Sequence, residues 1–257
     1  MVANATLLCQ RGAREVTREE LSFVPCPPPQ GRWHPVPFHT VLEYAERALT
    51  DAGYRIAKSA LALSRRDGRF FGTLTLDCPL GSGADLAVGI RSSHGQSLAL
   101  GWCCGQRVFV CDNLAFSSAK VISRKHTAHG VQRYQEAISR AVSELADYRE
   151  FEAYRIRQMQ RLELTDGQAE SVLLRAFEAG IISPHALPVA IREWRKPSFP
   201  DFEEFKNAWR LYNALTFALG KRARTNPQAH VHATIRLGAL VLPEGPDLPG
   251  AAVRAAG

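Results

Sequence analysis

Between residues 54 and 111, turn-forming residues recur so often that the extended segments are joined by only a few residues each. A parallel crossover needs about a dozen residues, so strands joined this way must run antiparallel. Segments 54–64 and 70–76 are rich in Ile, Leu, Phe and Thr, and Arg65-Arg66-Asp67-Gly68-Arg69 lies between them with an Asp-Gly turn. Segments 86–92 and 97–102 follow, turned by Ser93-His94-Gly95-Gln96. Segment 107–111 is then reached through Cys103-Cys104-Gly105-Gln106, read as a tight connection. The expectation is an antiparallel β-meander.

Helical signals flank this region. After Pro37, the residues Phe38, Val41, Leu42, Ala45, Ala48 and Leu49 share one helix face, and Gly53 ends the run. Residues 130–163 carry apolar positions near a 3.5-residue spacing with no Pro or Gly after Gly130, which predicts one long helix or two in line. Thr165-Asp166 opens a further helix ending near Gly180. Ser183-Pro184 opens a short one, and Asp201 with Glu204 opens another carrying Phe205, Trp209, Tyr212 and Leu215. The stretch 231–242 reads equally as strand or helix. Upstream, residues 1–36 form an arm: Thr17-Arg18-Glu19-Glu20 is a capping box, Pro25 and Pro27–Pro29 stiffen the connector, and Trp33 anchors it. The division expected is an arm over 1–36, an α+β core over 37–165, a helical region over 166–242 and a disordered tail over 243–257. The fold class is α+β, a meander packed with a long helix plus a helical C-terminal half.

No window approaches the ~18–20 apolar residues of a membrane span, and the N-terminus has no basic leader or long apolar stretch. The six cysteines therefore read as reduced thiols in a cytoplasm. A net charge of +7 favours polyanionic partners through counterion release. The acidic residues concentrate at 143–152 and 201–204, where they read as solvated helix faces.

Three stretches in order carry a likeness to a known group. Ile90-Arg91-Ser92-Ser93-His94-Gly95-Gln96-Ser97 is followed by Gly105-Gln106-Arg107-Val108-Phe109-Val110-Cys111-Asp112-Asn113-Leu114-Ala115-Phe116-Ser117, and then by Arg124-Lys125-His126-Thr127. Over roughly residues 36–240 the chain resembles the phage- and plasmid-related proteins classed as domain of unknown function 932, with Gly95 standing where that likeness leads one to expect an acidic residue. The likeness implies an origin in mobile elements. At the level of fold, the helix, meander and long helix also look like the core of Rad52-type annealing proteins, which implies single-stranded DNA as partner and a homo-oligomeric ring.

The candidate contacts follow from side-chain chemistry. Arg65, Arg66 and Arg69 sit at a hairpin tip, Arg91 and Arg107 near strand ends, Arg124 and Lys125 in a loop, and Lys221, Arg222 and Arg224 in another. Loop cations of this kind grip backbone phosphates without reading sequence. Asn113 is placed to read a base edge and His126 to touch phosphate or stack on a base. Asp112-Asn113 is equally a turn or helix cap. Each cation alone is as well explained by solvation, so the reading depends on their convergence. No paired-cysteine knuckle stands at zinc spacing, and no catalytic motif, cofactor motif or membrane partner is expected. The function expected is sequence-independent nucleic-acid binding in phage or plasmid DNA metabolism. The alternative is a regulatory factor that meets a host protein without catalysis, and a third is an enzyme using His94 or His126.

Overall fold

A computed structural model describes residues 14–64, 66, 68–81, 83–108, 113–220 and 227–242. Its sheet holds β1 (Arg14–Glu15), β2 (Ile56–Leu63), β3 (Arg69–Gly81), β4 (Ala84–Ser93), β5 (Leu100–Val108) and β6 (Asn113–Arg124). The strands lie in chain order and every neighbour is antiparallel, as the short connections require.

Two strand expectations need correction. Cys103-Cys104-Gly105-Gln106 is not a connection: β5 runs straight through it, with Gly89↔Cys103, Val88↔Cys104 and Ala87↔Gly105 in unbroken register. The partner strand β4 is long enough to hold all of it extended, so the glycine does not turn the chain. Arg124, expected in a loop, closes β6 opposite Leu100, and Asn113 opens that strand. Asp112 lies outside the described residues. A bulge between Cys103 and Gly105 interrupts the β5–β6 ladder.

The arm does more than cross the surface. Arg14 and Glu15 pair with Leu63 and Ala62, which gives the sheet an extra edge strand. The capping box at Thr17 forms as expected, and the short helix α1 (Arg18–Ser22) stops before the prolines. α2 (Phe38–Asp51) ends where Gly53 adopts φ 83°, with Tyr54 N–H donating to Leu49 O at 2.9 Å.

Residues 130–163 resolve into α3 (Ala128–Ser143) and α4 (Leu145–Arg161), separated at Glu144. α5 (Asp166–Glu178) has the Thr165 capping box. α6 is Leu187–Arg195. The helix expected to open at Asp201 instead begins at Ala208, because the Asn207 side chain accepts from Arg210 N–H at 2.9 Å; Pro200–Phe202 make only a 3-10 turn. That helix, α7, spans Ala208–Ala218. The stretch 231–242, open to either reading, is helical through residue 241 as part of α8 (Pro227–Val241), with His230 buried and His232 exposed.

One apolar cluster unites these elements. From the sheet it takes Phe70, Leu74, Val88, Ile90, Leu100, Trp102 and Cys104, and from the helices Phe38, Tyr134, Leu145, Trp209 and Leu237. Residues 37–165 and 166–242 therefore share a core. Ala62, Phe71 and Ala87 are buried on the opposite sheet face, against Leu98, Cys103 and Val231. Strand alternation sends Cys104 to the first face and Cys103 to the second.

The helical half also holds polar groups that composition had placed in solvent. Glu152 is 1% exposed and pairs with Arg155 at 2.9 Å. Burial is the largest influence on Arg155 and lowers its pKa, but the Glu152 charge and hydrogen bond, together with the Tyr212 and Tyr148 side chains, outweigh it and the net shift is upward. Gly238 of α8 accommodates this arginine: a Cβ there would stand 2.4 Å from Arg155 Nη2. Arg210, 5% exposed, donates to the carbonyls of Trp194, Arg195 and Glu203 and lies over the Trp194 ring.

Candidate nucleic-acid interface

A meander has two ends, and the described candidates on its strands and connections divide between them. The β2–β3 turn, the β4–β5 loop and the β6–α3 junction share an end. Arg66 is exposed in that turn. Arg69 opens β3 opposite Ser93, and its Nε donates to Ser97 Oγ at 3.0 Å, tying the turn to the loop. Arg124 closes β6, and its Nη1 donates to Ser123 O at 2.9 Å; Lys125 follows, and both are exposed. Arg66, Arg124 and Lys125 form no ion pair among the described residues. From β3 to β6 is three strand spacings, about 14 Å.

Arg107 and Asn113 belong to the other end. Arg107 stands opposite Asp85 and Asn113 opposite Val108. Six residues of β4 separate Asp85 from Arg91, about 20 Å of strand. That end is partly acidic. Asp77 pairs there with Arg55, and Asp85 is pushed up by burial and by the Asp77 charge. Convergence of all the candidates on one surface is thus not observed. Arg65, Lys221, Arg222 and Arg224 lie outside the described residues.

Two more candidates are inside the fold. Arg91, half-buried, lies across Gly101, where a Cβ would stand 2.6 Å from its Cγ. Burial lowers its pKa, partly offset by the Cys103 and Tyr134 side chains. His126 is 5% exposed, so in this arrangement its ring reaches neither phosphate nor base. Its carbonyl instead accepts from His34 N–H at 2.8 Å. Nearby His94 is 7% exposed, its ring stacked on Phe38 at 3.7 Å with an interplanar angle of 8°. His94 Nε2 lies 3.2 Å from Val36 O. The two histidines hold residues 34–38 against the sheet end. Burial lowers both pKa values, opposed by backbone hydrogen bonds; the His94 charge adds to the fall at His126.

Burial pushes the Cys103 thiol up to about 12, which makes it a poor nucleophile. Among the described residues, no three His, Cys, Asp or Glu side chains are grouped so as to hold a metal ion. No described helix is long and apolar enough to cross a membrane. The arm's anchor is expected at Trp33; the contacts at His34 and Val36 are not, because nothing in the sequence ties them to His126 and His94.

No family model matches the chain, and no curated protein or solved structure matches it either.

Proposed function

We propose that the protein binds nucleic acid, single-stranded DNA foremost, through the sheet end that carries Arg66, Arg69, Arg124 and Lys125. The observation that supports this is the meeting of two separate connections at one end, with Arg66, Arg124 and Lys125 outside any ion pair among the described residues. A width of about 14 Å matches roughly four phosphates of one strand stacked in duplex-like form, at 3.4 Å of helix axis each. Guanidinium and ammonium groups alone, without a described side chain poised to read bases, suit sequence-independent contact with the backbone. Bases left free in this way can pair, so strand annealing in phage or plasmid DNA metabolism is the activity the binding would serve. The thiols of Cys26, Cys78, Cys103 and Cys104 suit a reducing cytoplasm.

The test is a salt-titrated binding series on single-stranded and duplex DNA with Arg124→Gln/Lys125→Gln. Affinity falls by similar factors on unrelated sequences, and the log–log salt slope shrinks by about 1.4, two contacts at roughly 0.7 each. Arg107→Gln, at the opposite end, leaves binding unchanged. Equal binding by the double variant and the parent chain overturns the reading.

A further inference from the structure

Away from the sheet, α5 and α6 enclose a groove of about 540 Å³. Phe177, Leu187 and Ile191 line it together with Arg192, Arg195 and Lys196. Arg192 pairs with Glu193 at 3.5 Å and Arg195 with Glu170 at 2.7 Å, yet the two arginine side chains are 64% and 63% exposed, so their charged heads stay in reach of solvent beside an apolar channel. Leu174, one turn before Phe177 on α5, is 53% exposed. Apolar surface of this kind beside fixed charge is costly to leave in water and marks a contact site.

The chain also carries a segment of opposite character. Asp201, Glu203, Glu204 and Phe205 are all exposed, Phe205 at 59%. Glu203 and Glu204 form no ion pair among the described residues. This acidic, aromatic knob and the cationic groove are held in fixed relation by one side chain. Buried Arg210 donates to the Arg195 carbonyl at 3.2 Å and to the Glu203 carbonyl at 3.3 Å. The knob cannot fold back into its own groove without breaking that clamp.

We propose that a second copy of this chain occupies the groove, through a two-fold contact in which each Glu203-Glu204-Phe205 knob enters its partner's α5–α6 groove. Adjacent patches of opposite sign on one surface are what an isologous interface needs, since each copy then gives and receives the same contact. Phe205 supplies the apolar filling, and Glu203 and Glu204 face Arg192 and Lys196 across the interface. Each contact is made twice, so a modest patch is doubled in area. The inference is independent of nucleic-acid binding.

Light scattering on nuclease-treated, full-length protein in a concentration series tests it. The parent chain shows a reversible rise to twice the chain mass. Arg192→Glu/Lys196→Glu and Glu203→Lys/Glu204→Lys, each confirmed as folded by circular dichroism, weaken self-association by roughly tenfold or more through like-charge contact. Mixing the two variants restores the dimer, because both groove–knob pairs then have opposite signs again. Phe205→Ser, at an exposed position, weakens it without altering charge. A parent chain that stays at monomer mass overturns the proposal. So does a dimer indifferent to these substitutions, or a mixture that fails to associate.

Discussion

His94 and His126 show how burial changes what a residue type can do. Both stand in polar runs, Ser92–Ser97 and Arg124–Thr127, and either would suit a phosphate contact if exposed. Folding instead places His94 between the Phe38 ring and the Val36 carbonyl, with His126 beneath the connector at His34. Burial holds both below the ordinary value of 6.5, with no described acid beside either to favour the cation. The unfolded chain therefore takes up these protons first as pH falls. The contribution of these two histidines is constant at and above about pH 7.5 and declines as pH drops through 6.5, until the folded-state pKa values are passed. Each histidine contributes at most about 1.4 kcal/mol per pH unit. Urea midpoints between pH 7.5 and pH 5.5 measure it, and His94→Gln/His126→Gln flattens the decline. An equally steep fall in the double variant would place the acid sensitivity elsewhere.

Individual elements were legible wherever a local rule sufficed. α5 is the clearest: Thr165 and Gln168 complete the capping box at one end, and Gly180 closes the other at φ 66°. There Ile181 N–H donates to Ala176 O and Gly180 N–H to Phe177 O, the paired bonds of a left-handed helix ending. Gly180→Ala forces an L side chain into that region and lowers stability by about 1 kcal/mol; a chemical-denaturation midpoint checks it, and an unshifted midpoint would mean the ending relaxes freely. Legibility failed where a distant partner decides. Cys103–Gln106 looks like a turn until β4 holds it extended. Glu152 looks solvated until α7 and α8 close over it, and α7 starts late because Asn207, not Asp201, receives its free amides. At the candidate site the sequence supplies the cations as residue types only. Their sorting onto opposite ends depends on strand register, which turn positions alone do not determine.

For the whole molecule, the decisive fact is that the larger core cluster on the sheet is shared with helices from both halves of the chain. Trp102, Cys104 and Ile90 point toward helices from both halves of the chain, and residues before and after 165 enter one contiguous cluster. Arg155 of α4 sits against Gly238 of α8, and Glu152 beside it is sealed from water. Removing residues 166–242 would strip Trp209, Leu211, Tyr212, Leu215 and Leu237 from that cluster. Each such side chain is worth roughly 1.5–3 kcal/mol on burial, against a typical net domain stability of about 5–15 kcal/mol. The loss is comparable to the whole stability, so the α+β part cannot persist while the helical part is unfolded. Far-UV circular dichroism, which sees both parts, and the fluorescence of Trp102, which sees the sheet, must then report the same denaturant midpoint. Isolated Trp102 emission is obtained with Trp33, Trp194 and Trp209 replaced by Phe. Two separated midpoints, or a cooperative transition in a fragment ending at residue 165, would show that the boundary expected there is a real domain boundary after all.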